Sequence, residues 1–329
     1  MATDGFFAVG ADTFHSAVAL GITEATAFLV LARGAGPDNV TTLWGGRAVA
    51  ARTGTQWSTA NGAVDRLAAA KLVKASGTKG RPNYILTKQG DDIWLPNTLV
   101  DGLAGQPAPV ERIRQLHDPM LLRLLVDLYS DQNLLDHGGI STKVVYTAYE
   151  HKRLGAHAQY VIWGFARGMV SAYHTGAVSP HARDATDDER AAGHHWSADA
   201  FFRRFDRLQS LGLVELVPML YDGEQGDPIH PMHGDSRDAL EASLAAACER
   251  AGYRALSLIC PETCDANGWP EIVAIVPSHI EQVTMVGTYR LAYRPQAAMT
   301  SAWWGQMLER APECIRRYNE IAADSSSSS

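Results

Sequence analysis

Several features of membrane-bound and secreted proteins are scarce in this sequence. Its 329 residues include four cysteines, too few for the disulfide framework of a secreted domain, so we expect a reducing, cytoplasmic environment. No run approaches the roughly 18 uninterrupted apolar residues that a membrane span needs. The N-terminus has no basic stretch ahead of an apolar one, and we therefore expect neither a secretory signal nor a membrane partner.

Motifs of common enzymes are absent as well. The sequence has no G-x-x-x-x-G-K-[ST] phosphate loop, no G-x-S-x-G and no H-E-x-x-H, which are signatures of nucleotide, ester and metal-dependent peptide hydrolysis. Cys260 and Cys264 could combine with His230 and His233 in a zinc site, but this spacing is unusual for zinc ligands, and buried or loop thiols are the preferred interpretation. We predict that the protein is not an enzyme and has no metal and no cofactor.

Negative charge exceeds positive charge, and the excess is distributed unevenly. The formal net charge is −7. Residues 23–90 nevertheless contain nine Lys or Arg and only three Asp or Glu, which gives this segment a charge of +6 and leaves −13 for the remainder. One basic segment in an acidic chain is the distribution expected of a protein that presents a single surface to a nucleic acid.

The basic segment has the hydrophobic periodicity of helices followed by a hairpin. The predicted elements are a helix at 22–34 between an N-cap at Thr23 and Gly34, a short strand or helix entry at 40–44, a helix at 45–54 ended by Gly54, a helix at 55–73, and strands at 71–76 and 83–88. One face of the helix at 55–73 is apolar, with Ala60, Val64, Leu67 and Ala68 at the i, i+4, i+7 and i+8 positions. The loop GTKGRP between the strands is rich in turn-forming residues.

This order of elements resembles the winged helix-turn-helix, and the match extends to the residues of 45–90. The segments that resemble the recognition helix and wing of MarR-like bacterial regulators are Ser58-Thr59-Ala60, Val64-Asp65-Arg66-Leu67, Lys71-Leu72-Val73 and Leu86-Thr87-Lys88-Gln89-Gly90. The preceding AVAARTG resembles the start of the family's helix-turn-helix. Lys71 stands where the family usually has glycine. The resemblance implies binding to double-stranded DNA.

The resemblance also implies which side chains contact DNA. Asn and Gln can bond adenine in a bidentate manner, Ser can donate or accept, and Arg and Lys bind phosphates. The candidates are Gln56, Trp57, Ser58, Asn61 and Arg66 on the recognition helix, Arg47 and Arg52 on the supporting helix, and Lys79 and Arg81 at the wing tip. Two alternatives remain open: Trp57 could be half-buried against the first helix, and Arg66 could pair with Asp65 or another neighbour.

A second segment, FFRRFDRLQSLGLVELVPMLY at 201–221, repeats part of this pattern. It predicts a helix with Phe201, Phe205 and Leu208 on one face, a turn at Gly212 and a strand. Tandem winged helices would be similar to plasmid replication initiators. Residues 197–222 have three basic and four acidic side chains, however, a balance that disfavours DNA. We therefore expect this region to pack, dimerise or bind protein, with Arg203, Arg204 and Arg207 as a second DNA surface in the alternative case.

The predicted fold class is mainly α with small β wings, within the α+β class. The predicted divisions are a winged helix at 1–95, a linker at 96–116, a helical and alternatively second winged-helix region at 117–222, a loop at 223–238, a small α+β domain at 239–324 and a disordered tail at 325–329. The C-terminal domain is predicted to have strands at 255–260, 271–277 and 283–295, then a helix at 299–322 that Pro312 could interrupt.

These patterns together predict a cytoplasmic bacterial protein that binds double-stranded DNA as a homodimer, because palindromic sites match a twofold axis. The preferred role is transcriptional regulation. One alternative is the initiation of replication of a plasmid or mobile element. A second alternative is a non-enzymatic adaptor whose wings bind protein.

Overall fold

The computed structural model describes residues 5–77, 83–103, 105–133, 138–171, 198–223, 226–234, 239–260, 270–293 and 298–323. These residues form a mixed α/β fold with a two-stranded, a three-stranded and a six-stranded sheet. The structure is compatible with the α+β class that the sequence predicts. Its β-structure is more extensive than small wings, because the six-stranded sheet contains two strands of 12 residues each.

Contacts along the chain define two units, each discontinuous in sequence. Among the described residues, the first unit contains 5–132, 198–215 and 291–293, and the second contains 133–171, 216–290 and 298–323. The predicted region 117–222 is therefore divided between the two units.

The first unit is mainly helical. Its elements are β1 (Phe6–Gly10), α1 (Ala11–Leu20), α2 (Ile22–Arg33), β2 (Thr41–Thr42), α3 (Gly46–Thr53), α4 (Trp57–Ala69), β3 (Val73–Ala75), β4 (Tyr84–Leu86), β5 (Asp92–Pro96), α5 (Thr98–Asp101), α6 (Pro109–Arg114), α7 (Pro119–Ser130) and α8 (Ala198–Ser210). The predicted helices at 22–34 and 45–54 and the predicted strands at 71–76 and 83–88 are confirmed.

Helix α2 is the centre of the first unit. Every residue from Glu24 to Ala32 is buried, because α2 packs against α1, α3, α4 and β1. Its N-cap is Gly21, so the predicted cap at Thr23 is wrong. The buried Thr26 hydroxyl donates to the carbonyl of Ile22 at 2.8 Å. The backbone of α2 itself thus satisfies this polar side chain.

Helix α4 ends earlier than predicted, and its end leads directly into the three-stranded sheet. Lys71 has a φ of +62°, which stops the helix. The amide of Lys71 donates to the carbonyl of Ala68, and the amide of Leu72 donates to the carbonyl of Leu67, the bonding pattern of a Schellman motif. The chain then enters β3, which pairs with β4, and β4 pairs with β2.

The segment 96–116 is not the linker that its Pro, Gly and Ala content predicts. It contains α5 and α6, and Leu99, Val100, Val110 and Ile113 are each fully buried. The sheet that β1 and β5 form also ties the chain's beginning to this region, with Val9 opposite Ile93. Local composition indicates turns in this segment, but the apolar side chains between the turns are buried against α2, α3 and α7.

The second unit is built on the six-stranded sheet. Its elements are β6 (Tyr146–His157), β7 (Tyr160–Ser171), β8 (Val214–Asp222), β9 (Pro228–Pro231), α9 (Ala239–Ile259), β10 (Ile272–Pro277), β11 (Val283–Leu291) and α10 (Ala298–Ala323). The strand order is β10-β7-β6-β11-β8-β9. Helix α9 packs on β10 and β6, and α10 packs on α9.

Three predictions for this unit are corrected. Residues 255–260 are not a strand, because Ala255 and Leu256 continue the buried face that Cys248 and Ala251 begin on α9. The loop predicted at 223–238 contains β9. Helix α10 continues through Pro312 without interruption. The predicted strands at 271–277 and 283–295 are confirmed as β10 and β11, and the predicted tail at 325–329 lies outside the described residues.

Candidate nucleic-acid interface

Helix α4 has one buried face and one solvent face. Ala60, Ala63, Val64 and Leu67 are at most 1% exposed and pack against α2 and α3. The opposite stripe follows the same helical spacing and consists of Ser58, Gly62, Asp65 and Ala69. These residues are small or short, so a flat surface can approach the backbone of α4 closely along this stripe.

The first turn of α4 is the most exposed part of the helix. Gln56 is the N-cap, and its side chain accepts no hydrogen bond from the amides of the first turn. Gln56, Trp57 and Ser58 are all exposed, and the exposed fraction of Trp57 is 58%. Trp57 is therefore exposed, and the alternative in which it is half-buried against the first helix is wrong. A large aromatic ring with this exposure is available to a partner.

Asn61 is held in place by the crossing of α3 over α4. A Cβ atom at Gly46 would lie 3.1 Å from the Cα of Asn61, a tight contact, so glycine favours this close approach of the two helices. Asn61 donates its amide to the Asp65 carboxylate at 3.3 Å. The side chain is half-buried and oriented by this bond, with its second amide proton left for another acceptor.

Arg47 and Arg52, both on α3, have different surroundings. Arg47 is exposed. Arg52 donates from Nε to the Asp101 carboxylate at 3.0 Å, and its guanidinium lies 3.6 Å from the ring centroid of Trp44. Arg33 binds the other oxygen of the same carboxylate at 2.8 Å. Arg52 therefore joins α3 to α5. This structural role differs from the phosphate contact that the sequence predicts for it.

Arg66 pairs with a residue that the sequence does not suggest. Its Nε lies 2.5 Å from Glu24 Oε1, and the Glu24 side chain is buried whereas that of Arg66 is 57% exposed. The predicted alternative of an ion pair is correct, but the partner is on α2 rather than at the neighbouring Asp65. Since an unpaired buried carboxylate is costly, Arg66 stabilises the packing of α4 on α2.

Tyr84 is a residue of this surface that the sequence analysis misses. It lies on β4, and a Cβ atom at Gly45 would be 3.2 Å from its ring. Burial and the nearby Asp65 carboxylate raise the pKa of the Tyr84 hydroxyl, so it stays a hydrogen-bond donor near neutral pH. The alternation in NYIL could have indicated this position. Lys79 and Arg81 of the predicted wing tip lie outside the described residues.

The three arginines of the predicted second surface are not equivalent. Phe201, Phe205 and Leu208 form the buried face of α8, as predicted. Arg204 is also buried, and its Nε lies 2.9 Å from Asp118 Oδ2. The other oxygen of Asp118 accepts from two amides at the start of α7. Arg204 therefore joins α8 to α7 and cannot reach DNA.

Arg203 and Arg207 are exposed on the same helix. The strand that follows, β8, belongs to the six-stranded sheet and pairs with β9. The turn at Gly212 is present as predicted, with a φ of +64°. The described part of this region therefore does not form an isolated hairpin wing, because β8 lies between β11 and β9 in the larger sheet.

Within the described part of the chain, no three His, Cys, Asp or Glu side chains are arranged to hold a metal ion. His230 of the considered zinc set is buried and hydrogen-bonded to Pro231 and Tyr318. Cys264 lies outside the described residues. As far as the described helices extend, none is both long enough and apolar enough to cross a bilayer.

The chain matches no family model, no curated protein and no solved structure in comparisons with each. The assignment of a function therefore rests on the residues and geometry described above, in particular on α3, α4 and the three-stranded sheet.

Proposed function

We propose that residues 22–96 form a winged helix-turn-helix that binds double-stranded DNA in a sequence-specific manner, with α4 as the recognition helix. The observation that carries this proposal is the order α2-β2-α3-α4-β3-β4 together with a three-stranded sheet in the order β2-β4-β3. In this arrangement the hairpin follows the exposed helix immediately, as a wing does.

The solvent face of α4 has dimensions and chemistry suited to the major groove. An α-helix fits this groove, where polar side chains meet base edges. Ser58 and Gly62 allow close approach, and Gln56 and Asn61 supply amides at the exposed end of the helix. Trp57 has its ring beside them, where it can contact a thymine methyl group or the sugar backbone. These groups supply readout of the sequence.

Phosphate contacts fall to the basic side chains that are not already paired. Four of the nine are held in ion pairs: Arg33 and Arg52 with Asp101, Arg66 with Glu24, and Lys88 with Asp92. Arg47, Lys71 and Lys74 are exposed and form no ion pair with a described residue. These three are the described candidates for phosphate contacts, and the resemblance to winged helices adds Lys79 and Arg81. Each phosphate neutralised contributes about 0.9 to the salt dependence.

The test is binding of the full chain to DNA selected from a random duplex pool, followed by fluorescence anisotropy over a salt series. We expect the logarithm of affinity to fall linearly with the logarithm of salt concentration. Arg47→Ala should lower affinity on all sequences and reduce the slope by about 1. Asn61→Ala should instead lower the preference for the selected sequence, because it removes a contact to a base rather than to a phosphate.

Arg250→Ala is the matched control, since Arg250 is an exposed arginine of α9 in the second unit. It should leave both affinity and slope unchanged. Absence of any salt-dependent binding would overturn the proposal and favour the adaptor, whose wing binds protein. Equal losses in Arg47→Ala and Arg250→Ala would indicate non-specific attraction only.

The biological role we propose is that of a homodimeric transcriptional regulator in the bacterial cytoplasm. Two wings related by a twofold axis would read half-sites about one helical turn apart, which sedimentation and footprinting can measure. The replication-initiator alternative requires a second DNA-binding wing after α8. It would be supported by repeated sites at an origin of replication, and the regulator by one palindrome at a promoter.

A further inference from the structure

The second unit contains a cleft of about 490 Å³, a volume typical of small-molecule sites. It is bordered by α10, by the turn between β8 and β9, and by the residues after β10. Its apolar lining includes Ile229, Leu244, Ile280, Met307 and Ala311. This lining suits a hydrocarbon or aromatic body of modest size.

Charged side chains of both signs surround this apolar lining. Arg310 and Arg317 come from α10, and Asp222 and Asp227 come from the two ends of the β8–β9 turn. Arg317 is partly engaged, since its Nε lies 2.8 Å from Glu313 Oε1. Among the described residues, Arg310, Asp222 and Asp227 have no ion-pair partner, so these three charges are available to a ligand.

The deeper polar groups of the cleft are neutral and already bonded to each other. His230 Nδ1 donates to the Pro231 carbonyl at 3.0 Å, and Nε2 accepts from the Tyr318 hydroxyl at 3.1 Å. Burial lowers the pKa of His230 and raises that of Tyr318, which keeps both uncharged near neutral pH. A ligand therefore finds its charged partners at Arg310 and the two aspartates rather than at this pair.

The balance of charge discriminates between classes of ligand. Because Arg317 is already paired with Glu313, one free guanidinium group and two free carboxylates remain to contact a ligand. A ligand with a single charge would form a charge-assisted hydrogen bond with one sign only and would gain nothing from the other. A ligand with separated positive and negative groups satisfies both.

We propose that this cleft binds a small zwitterion with an apolar body, of the α-amino-acid type. The ligand's carboxylate binds Arg310, its ammonium group binds Asp222 or Asp227, and its side chain occupies the apolar lining. This site is in the second unit and is independent of the proposed DNA interface, so either proposal can fail without the other.

The test is titration calorimetry of the full chain with L-leucine, L-methionine and L-phenylalanine. The N-acetyl derivative of each removes the positive charge, and the amide of each removes the negative charge. We expect at least one free amino acid to bind, and both of its derivatives to bind about tenfold or more weakly, because each loses a charge-assisted hydrogen bond.

Variants then assign the contacts. Arg310→Gln and Asp227→Asn each replace an exposed charge and should weaken binding about tenfold or more. Arg316→Ala is the matched control on the same helix, because Arg316 pairs with Glu313 and Glu320 and does not line the cleft. This variant should bind the amino acid as tightly as the unmodified chain does. Circular dichroism of each variant verifies that it is folded.

Two results would overturn the proposal. One is the absence of binding by all three amino acids up to roughly millimolar concentration. The other is a derivative with one charge that binds as well as the free amino acid, which would assign the site to a simple anion or cation. Neither result depends on DNA, since no nucleic acid is present in the titration.

Discussion

Two helix–turn–strand segments of this chain share a local sequence and lead into different sheets. Arg66-Leu67 precedes the turn at Lys71 in one, and Arg207-Leu208 precedes the turn at Gly212 in the other. Both turns have the same two backbone hydrogen bonds, and their φ angles are +62° and +64°. The first strand enters the three-stranded sheet and the second enters the six-stranded sheet. The short sequence thus specifies the turn, and more distant residues specify the sheet.

The two helices also use their arginines differently. On α4, Arg66 pairs with the buried Glu24 but remains more than half exposed. On α8, Arg204 is itself buried against Asp118. Both arginines therefore fix the packing of their helix, but Arg66 keeps more than half of its surface open to solvent, whereas Arg204 is enclosed. The predictions below test this difference.

The largest expected effect is the loss of stability in Arg204→Ala. Removing the guanidinium leaves the Asp118 carboxylate without its ion-pair partner and opens a gap between α7 and α8, which should cost about 2–3 kcal/mol of unfolding free energy. Urea denaturation measures this cost. Arg203→Ala, at the exposed neighbour, should change it by less than about 0.5 kcal/mol. Equal effects of the two variants would mean that Arg204 is not buried in solution.

Acid should weaken the sheet that contains β8 more than the sheet that contains β3. Burial lowers the pKa of His230 from its usual 6.5, so below about pH 6.5 the unfolded chain binds a proton that the folded chain does not. Stability is therefore full above this pH and falls as the pH decreases, by up to about 1.4 kcal/mol per pH unit.

Amide hydrogen exchange between about pH 7.5 and pH 5.5, corrected for the intrinsic exchange rate, measures this loss separately in each sheet. His230 lies opposite Leu220 of β8, so protection should fall in β8 and β9 first. His230→Gln should remove this pH dependence, whereas His233→Gln should retain it. A pH dependence that survives His230→Gln would assign it to another group.

Gly212→Ala should destabilise the first unit by about 1 kcal/mol. The φ of +64° at this position is unfavourable for any residue with a Cβ atom. Thermal unfolding measures the change. Ser210→Ala, two residues earlier and at ordinary φ, is the control and should have a smaller effect. No loss in Gly212→Ala would mean that the turn adjusts without cost.

Lys71→Gly should have the smallest effect and the opposite sign. Lys71 already adopts a φ of +62°, so glycine relieves backbone strain there. Glycine also raises the conformational entropy of the unfolded chain, and the net gain in unfolding free energy should be about 0.5 kcal/mol. Lys71→Ala removes the same charge without relieving the strain and separates the two contributions. A loss of stability in Lys71→Gly alone would contradict the comparison of the two turns.

Local sequence predicts most of the elements near the proposed interface. The apolar periodicity of α4, the glycine that ends α3 and the turn formers between β3 and β4 all act over a few residues, so they can be recognised in the sequence. The exposure of Trp57 could not be predicted, because an aromatic residue at the first turn of a helix is compatible with burial or exposure. The partner of Arg66 lies 42 positions away, beyond any local pattern.

Elements that depend on distant pairing were missed or misassigned. Strand β1 is short, and it is defined by its pairing with β5, more than 80 residues later. The run ALSLIC has the composition of a strand, but it continues the buried face of α9. Short apolar runs fit a strand or a helix equally well, and only the surface against which they pack decides between them.

The cluster of Arg33, Arg52, Trp44 and Asp101 has a consequence for how this protein could have been inherited. Asp101 lies after β4, yet it pairs with two arginines that precede it, and β1 and β5 pair with each other on either side of the same region. A gene fragment that encoded only α2 to β4 would lose the Asp101 ion pairs and the pairing of β1 with β5. Exchange of the proposed DNA-binding region between genes would therefore have to include the flanking segments, from β1 to at least α5.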